Sequence, residues 1–269
     1  MRTLGLLFIS ILPVYLIGLY IYKKDRDKEP IKLLTKLFIF GVLSCFPAVA
    51  LEYAIGSFFT DPKTIDSITL FIYVFLSIAL VEEFCKWFVS YKVGYNHKEF
   101  DHIYDVIVYS VFVSLGFACF ENILYVFEGG ITTGILRAFL SIPGHVCNAI
   151  IMGDMLGLAK ISNINKNKKL ERKYLILSVI FPTLSHTIFD YFIFTQQIEY
   201  YIGFAVLLTW IYVYSVKKIK KVSQVKENLI DNDKYYAYCP RCGTKRVGEY
   251  CQNCGKHLLD NKKNGTNLT

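Results

Sequence analysis

The sequence predicts an all-α membrane protein of about seven transmembrane helices, with a small cysteine-rich ribbon on its C-terminal tail. Three observations carry that prediction. Of the 269 residues, 54% are hydrophobic and 16% aromatic, while only 19% are charged. The apolar residues gather into runs of roughly twenty, the length of helix that crosses the hydrocarbon layer of a bilayer. The eight cysteines divide into four isolated within apolar runs and four arranged as two CxxC pairs in a polar tail.

Seven stretches match a spanning helix, at 4–22, 35–59, 67–91, 103–127, 134–158, 174–194 and 198–216. The first is expected to be a retained helix. It lacks a small-residue cleavage pattern, and its basic stretch follows the apolar run where a signal peptide's would precede it. The net charge of +8 does not signal nucleic-acid binding, because the basic residues sit in short stretches between apolar runs. Residues 23–32, 160–173 and 217–226 are rich in Lys and Arg, whereas the alternate loops near 60–66, 128–133 and 195–199 carry only Lys63. The positive-inside rule then places the N-terminus outside and the C-terminal tail in the cytosol of a multi-pass cell-membrane protein. Cys45, Cys85, Cys119 and Cys147, each inside an apolar run, read as small buried residues.

Ionisable residues within a bilayer cost about 2.5–3.5 kcal/mol each on insertion scales, which makes them functional candidates. Span three carries Glu82, Glu83 and Lys86; span four, Glu121 and Asn122; span five, Arg137, His145, Asn148 and Asp154; span six, His186 and Asp190. Lys86 follows the two glutamates by four and three residues, so it reaches either carboxylate on one helix face. A buried lysine beside paired glutamates keeps one ionised while like-charge crowding alters the other, a pattern suited to a general base. Asp190 follows His186 by four and can hold one ring nitrogen, leaving the other for a metal, a water or an oxyanion. Each has a plainer reading. A Glu–Lys pair at helical spacing is ordinarily structural in a soluble protein. Arg137 lies near an expected helix end and can snorkel to the interface, Asp154 and Asn148 can act as packing glue, and Glu52 and Asp105 can be interfacial or pair structurally. At about 1.5 Å per residue, Glu121, His145 and His186 lie roughly 10–15 Å from the outer face and Glu82 about 20 Å. On that count span three must tilt or shift by about a turn for the four to meet.

Taken in order, these residues resemble the PrsW family of membrane proteases, part of the wider group holding the type II CAAX prenyl proteases and bacterial Abi proteins. The family's EExxK pattern is matched by Glu82-Glu83-Phe84-Cys85-Lys86, and its FxxxE pattern by Phe117-Ala118-Cys119-Phe120-Glu121, followed by Asn122. Arg137 with Pro143-Gly144-His145, and the HxxxD stretch His186-Thr187-Ile188-Phe189-Asp190, are also similar to family segments, as is Tyr22 to Pro30 after the first helix. The CAAX branch has His where Glu121 stands. The resemblance covers roughly residues 10–195 and implies peptide-bond hydrolysis within or beside the membrane. Its implied substrates are single-span membrane proteins, anti-sigma factors among them, cut on the extracytoplasmic side. Glu82 or Glu83 would activate water, while His145 and His186 would bind a metal or stabilise the oxyanion. Catalysis with zinc and catalysis by glutamate alone both fit these residues.

Cys239, Cys242, Cys251 and Cys254 form CxxCG…CxxCG, in which the Gly after each pair permits a tight turn around a metal. Four thiolates close a structural zinc site, the expected state of such spacing in a reducing compartment. The ribbon departs from the minimal family architecture and is expected to bind a cytosolic protein partner or dock on the membrane part. The organisation read from the sequence is a membrane protease domain at 1–217, a linker at 218–238, the zinc ribbon at 239–257 and a disordered tail at 258–269. Two other functions fit the intramembrane charges: a proton or ion relay, and a catalytically silent scaffold acting through the ribbon.

Overall fold

The structure, a computed structural model, describes residues 2–59, 64–195 and 201–223. The expected ribbon cysteines Cys239, Cys242, Cys251 and Cys254 and the tail lie outside the described residues. Among the described residues there is no strand. The helices are α1 (Arg2–Lys24), α2 (Ile31–Gly56), α3 (Ser67–Tyr95), α4 (Ile103–Phe139), α5 (Ser141–Ile164), α6 (Lys168–Thr195) and α7 (Tyr201–Val222). The last continues past residue 217, so the first residues of the expected linker are helical.

Six stretches are long and apolar enough to cross a membrane, against seven expected, and the difference lies in the 62 residues Ile103–Ile164. This stretch folds back on itself. Gly130 (φ 76°, ψ −162°) interrupts α4 in a conformation that only glycine adopts without strain, and Leu140 separates α4 from α5. From there the chain returns along its own length. Ile103 lies against Gly157, Ile107 against Gly153, and Ser114 Oγ donates to the carbonyl of His145 at 3.0 Å. Partner numbers fall along α5 as they rise along α4, so the two limbs are antiparallel and the stretch holds two passes.

These limbs form the centre. The most apolar part of Ile103–Ile164 is 89% buried in the protein, whereas that of Ile202–Val222 is 17% buried. Helices α1 and α2 pack on α4, α6 packs on α5, and α7 lies outermost. The outer faces carry exposed Leu4, Phe8, Phe58, Phe139 and Ile202, as a lipid-facing surface should. Helix α3 is not uniform: Asp66 Oδ1 caps it by accepting from the N–H groups of Ile68 and Thr69. It then passes through two π-helical segments, Val74–Ala79 and Ser90–Tyr95, on either side of Leu80–Val89.

Two glycines let α2 and α4 touch backbone to backbone. A Cβ on Gly41 would lie 2.0 Å from the carbonyl oxygen of Val113, and one on Gly116 would lie 2.0 Å from that of Phe38. Without a hydrophobic drive between helices in lipid, such close approach is what holds them together.

At the end of the bundle where α1 turns into α2, Asp25 and Glu29 are each only 5% exposed despite the basic residues around them. Asp105 Oδ2 accepts from the N–H groups of Asp101 and His102, at 3.0 and 2.6 Å, and so caps α4. Tyr109 donates its hydroxyl to Glu29 Oε2 at 2.8 Å. Burial pushes the Asp25 carboxyl up to about 6, partly offset by Lys28 and reinforced by Asp27. Burial likewise pushes Glu29 up to about 7, with Asp25 adding to the rise and the Tyr109 hydrogen bond opposing it.

Two predictions follow from this packing. Gly116→Ala should cost about 1–3 kcal/mol or more through overpacking, seen as a lower melting temperature of the purified chain in detergent. For Asp25 and Glu29 the folded chain holds more protons than the unfolded one, so their contribution to stability is full below about pH 4. It is lost as pH rises through about 6 and 7. In metal-free buffer, Asp25→Asn with Glu29→Gln should flatten the fall in melting temperature between pH 5 and pH 8, by on the order of a few degrees.

Candidate active site

The site is built on the turn of α3 between its two π segments, and π-bulges often mark functional positions. Glu82, Glu83 and Lys86 project there into the bundle, exposed by only 6%, 1% and 1%. Lys86 Nζ donates to Glu82 Oε2 and Glu83 Oε1, both at 2.9 Å, and lies 3.1 Å from His145 Nδ1. The ammonium also sits 4.3 Å above the ring of Phe117, from α4. An ammonium has only donors, so His145 Nδ1 accepts and its proton is on Nε2. That Nε2–H meets Glu121 Oε2 at 2.9 Å.

Glu121 has a second partner in Arg137, whose Nη2 stands 3.1 Å from Oε1. The arginine also donates from Nε to Asn122 Oδ1 at 2.9 Å, and Asn122 Nδ2 donates to the carbonyl of Ser10 in α1. The plainer of the two readings of Arg137, snorkelling to the interface, is therefore not the one the structure favours. Arg137 lies beyond the break at Gly130, where the chain remains helical and carries it back over Glu121. On the other side of Lys86, His186 Nδ1 lies 3.0 Å from Glu83 Oε1 and Nε2 lies 3.3 Å from Asp190 Oδ2. Pro182, one turn before His186, lies inside α6 and cannot donate to the helix ladder. Trp87 Nε1 donates to Ser178 at 2.8 Å, tying α3 to α6 beside the site.

All seven residues singled out from the sequence thus converge: Glu82, Glu83, Lys86, Glu121, His145, His186 and Asp190. Glu82 meets the other three although a residue count set it about a turn away, and the π segment Val74–Ala79, with i→i+5 bonding, accounts for part of that difference by fitting more residues into the turns before Glu82. Asp154 stands apart, accepting from Lys218 Nζ and Tyr214, both at 2.7 Å, and so fastening α7 to α5. The pairing of Arg137 with Glu121 was not read from the sequence, although a lone intramembrane carboxylate signals the need for a cation.

A cavity of about 580 Å³ opens beside this network, lined by Glu82, Glu121, His145, His186, Asp190 and Arg137 with apolar residues of α5, α6 and α7. Glu83 and Lys86 lie behind that wall. A smaller cavity of about 280 Å³ meets Glu82 and Glu121 from the α2 side, and Glu52 lines it. A wide surface hollow of about 880 Å³ at Asn167–Leu177 holds no carboxylate or imidazole.

The donor set suits a divalent metal in type and spacing. Glu82, His145 and His186 are buried and offer ligand atoms within 4.8 Å of one another, and two imidazoles with a carboxylate are a zinc set of hydrolases. Glu83 Oε2 adds a buried oxygen without a hydrogen-bond partner among the described residues. Binding through either histidine requires a ring nitrogen to exchange the partner it holds here.

Comparison with known proteins agrees with this geometry. The profile of the PrsW family intramembrane metalloproteases matches residues 29–217. The chain is 42% identical over 217 residues to Protease PrsW of Oceanobacillus iheyensis, an alignment covering 80% of this chain and 96% of the relative. Protease PrsW of Geobacillus kaustophilus is 38% identical (77% and 86% covered), and that of Bacillus subtilis 35% identical (77% and 92% covered). No solved structure gives a significant match. With its intramembrane acid–imidazole network, its apolar helices and these relatives, the chain belongs to the PrsW family of intramembrane metalloproteases and is a multi-pass membrane protease.

Proposed function

We propose that Glu82 is the general base of peptide-bond hydrolysis and that the 580 Å³ cavity receives the scissile segment of a single-span membrane protein. The observation that carries this reading is the division of the acidic pair. Glu82 lines the cavity, whereas Glu83 lies behind it, held by Lys86 and His186. Glu82 takes the proton of the attacking water and returns it to the leaving amine. Lys86 fixes the Glu82 carboxylate through Oε2 and keeps it an acceptor. Glu83 positions Lys86 and His186 together. Arg137 and His186, both on the cavity wall, provide donors for the charge that develops on the carbonyl oxygen. A divalent metal would instead take Glu82, His145 and His186 as its ligands and would polarise the carbonyl and acidify water, so that with it bound Arg137 is the remaining donor and Glu82 and His186 leave the base and donor roles.

The loop charges support an N-terminus outside and a C-terminal tail in the cytosol. In that orientation the site lies toward the extracytoplasmic ends of α4 and α6, which suits membrane-anchored anti-sigma factors as substrates. The tail at 239–257 is assigned a structural zinc held by Cys239, Cys242, Cys251 and Cys254, with a cytosolic protein partner.

Co-expression with single-span membrane substrates at matched protein levels tests the assignment. Glu82→Gln should lower the cleavage rate by about 10²–10⁴-fold without weakening substrate capture. Glu83→Gln and His186→Ala should also lower it, with helix insertion intact. Full cleavage by Glu82→Gln would overturn the role of Glu82, and a wild type that cuts no member of a broad membrane-protein library would count against this substrate class. Metal content offers a second test, independent of activity. Purified chain should lose one bound ion in His145→Ala with His186→Ala, and a different one in Cys239→Ser with Cys242→Ser.

A further inference from the structure

A second cluster of metal-ligating side chains lies far from the active site, where the loop between α1 and α2 meets the loop between α3 and α4. Asp27 from the first, with Asp101 and His102 from the second, offer ligand atoms within 4.8 Å of one another. The two residues of the second loop are held in place from below. Asp105 Oδ2 accepts from both of their backbone N–H groups, and His102 Nδ1 lies 2.5 Å from Asp101 Oδ1.

Asp25, Asp27, Glu29, Asp101 and Asp105 bring five carboxylates to this junction. Lys23, Lys24, Arg26 and Lys28 of the same segment are exposed, and the Lys28 ammonium donates to the carbonyls of Tyr22, at 2.7 Å, and of Asp25. An independent observation points into the same place. Asp25 is 95% buried, and its Oδ2 has no hydrogen-bond partner among the described residues. The charged side chains nearest in effect to it are Lys28, Asp27 and His102, two of them members of the cluster. A buried carboxylate oxygen without a donor is costly unless a cation satisfies it.

We propose that this junction is a divalent-cation site, with Asp27, Asp101 and His102 as its ligands and Asp25 as the buried acid beneath them. Carboxylates with one imidazole, and water completing the shell, suit a hard oxygen-seeking ion of the Mg²⁺ or Mn²⁺ class. The ion bridges two loops about seventy residues apart in sequence, fastening the exit of α1 to the start of α4. On the loop-charge orientation it does so at the cytosolic face, on the opposite side of the bundle from the smaller cavity at Glu52.

The test uses the full chain in lipid nanodiscs, loaded with zinc and then titrated with Mn²⁺, with free Mn²⁺ followed by electron paramagnetic resonance. Wild type should bind one more Mn²⁺ than Asp27→Asn with Asp101→Asn, or bind it at least tenfold more tightly, and Glu82→Gln should not change this. Bound Mn²⁺ should show nitrogen coupling that His102→Gln removes. Mg²⁺ should raise the melting temperature of wild type and leave the double variant unmoved. Asp27 and Asp101 are exposed, so the double variant should fold with an unchanged helical spectrum; should it not, His102→Gln decides on the same readouts. Equal Mn²⁺ binding by folded wild type and variants, or bound Mn²⁺ whose nitrogen coupling survives His102→Gln, would overturn the proposal and leave a cluster of acids sharing protons.

Discussion

The arrangement of this protein depends on one buried ammonium. Lys86 is 1% exposed in the middle of a hydrophobic bundle, where an uncompensated charge would cost several kcal/mol. It is tolerated because Glu82, Glu83 and His145 accept its three protons and the face of Phe117 lies above it. Those groups come from α3, α4 and α5, so satisfying a single charge fixes three helices relative to one another. Removing any one acceptor leaves an ammonium proton unsatisfied, and removing Lys86 leaves two carboxylates without their shared cation.

From that centre the polar contacts continue without a gap. Arg137 meets Glu121, Glu121 meets His145, His145 meets Lys86, Lys86 meets Glu83, Glu83 meets His186, and His186 meets Asp190. Acids alternate with cations or imidazoles along the path except where the neutral His145 ring accepts directly from Lys86. This pairing is what allows so many ionisable groups below the membrane surface, since each charge has an opposite charge or a polar ring beside it and no two like charges are direct neighbours on the path. One edge of the chain forms a cavity wall and the other is sealed in packing. The same network can therefore present reactive groups on one side and hold them rigidly from the other.

Much of this was legible in the sequence. Span length follows directly from bilayer thickness, so the helices could be counted, and charges inside those spans stood out as expensive exceptions. What failed depended on geometry that periodicity does not carry. The break at Gly130 read as a loop between two spans, which put Arg137 at a helix end; the structure keeps the chain helical on both sides and turns Arg137 inward. The π segments of α3 could not be read from apolar spacing, and they shift Glu82 relative to a simple residue count. Asp25 and Glu29 were hidden by their neighbours. A segment containing Lys23, Lys24, Arg26 and Lys28 reads as a basic loop, and the burial of its acids is set by residues 101–109.

The glycine contacts between α2 and α4 make one flank of the bundle stiffer than the other. With Gly41 and Gly116 each lying directly on the opposing backbone, those two helices have little room to slide at these points. They behave as a welded seam. Helix α7, by contrast, is fastened mainly at separate points: Asp154 holds Lys218 and Tyr214, and the Tyr212 hydroxyl donates to the carbonyl of Phe139. Leu208, Ile211 and Tyr212 also line the larger cavity, so the wall of the proposed substrate cavity is more loosely fastened at α7 than at the α2–α4 contact. The opposite flank is the fixed frame of the bundle.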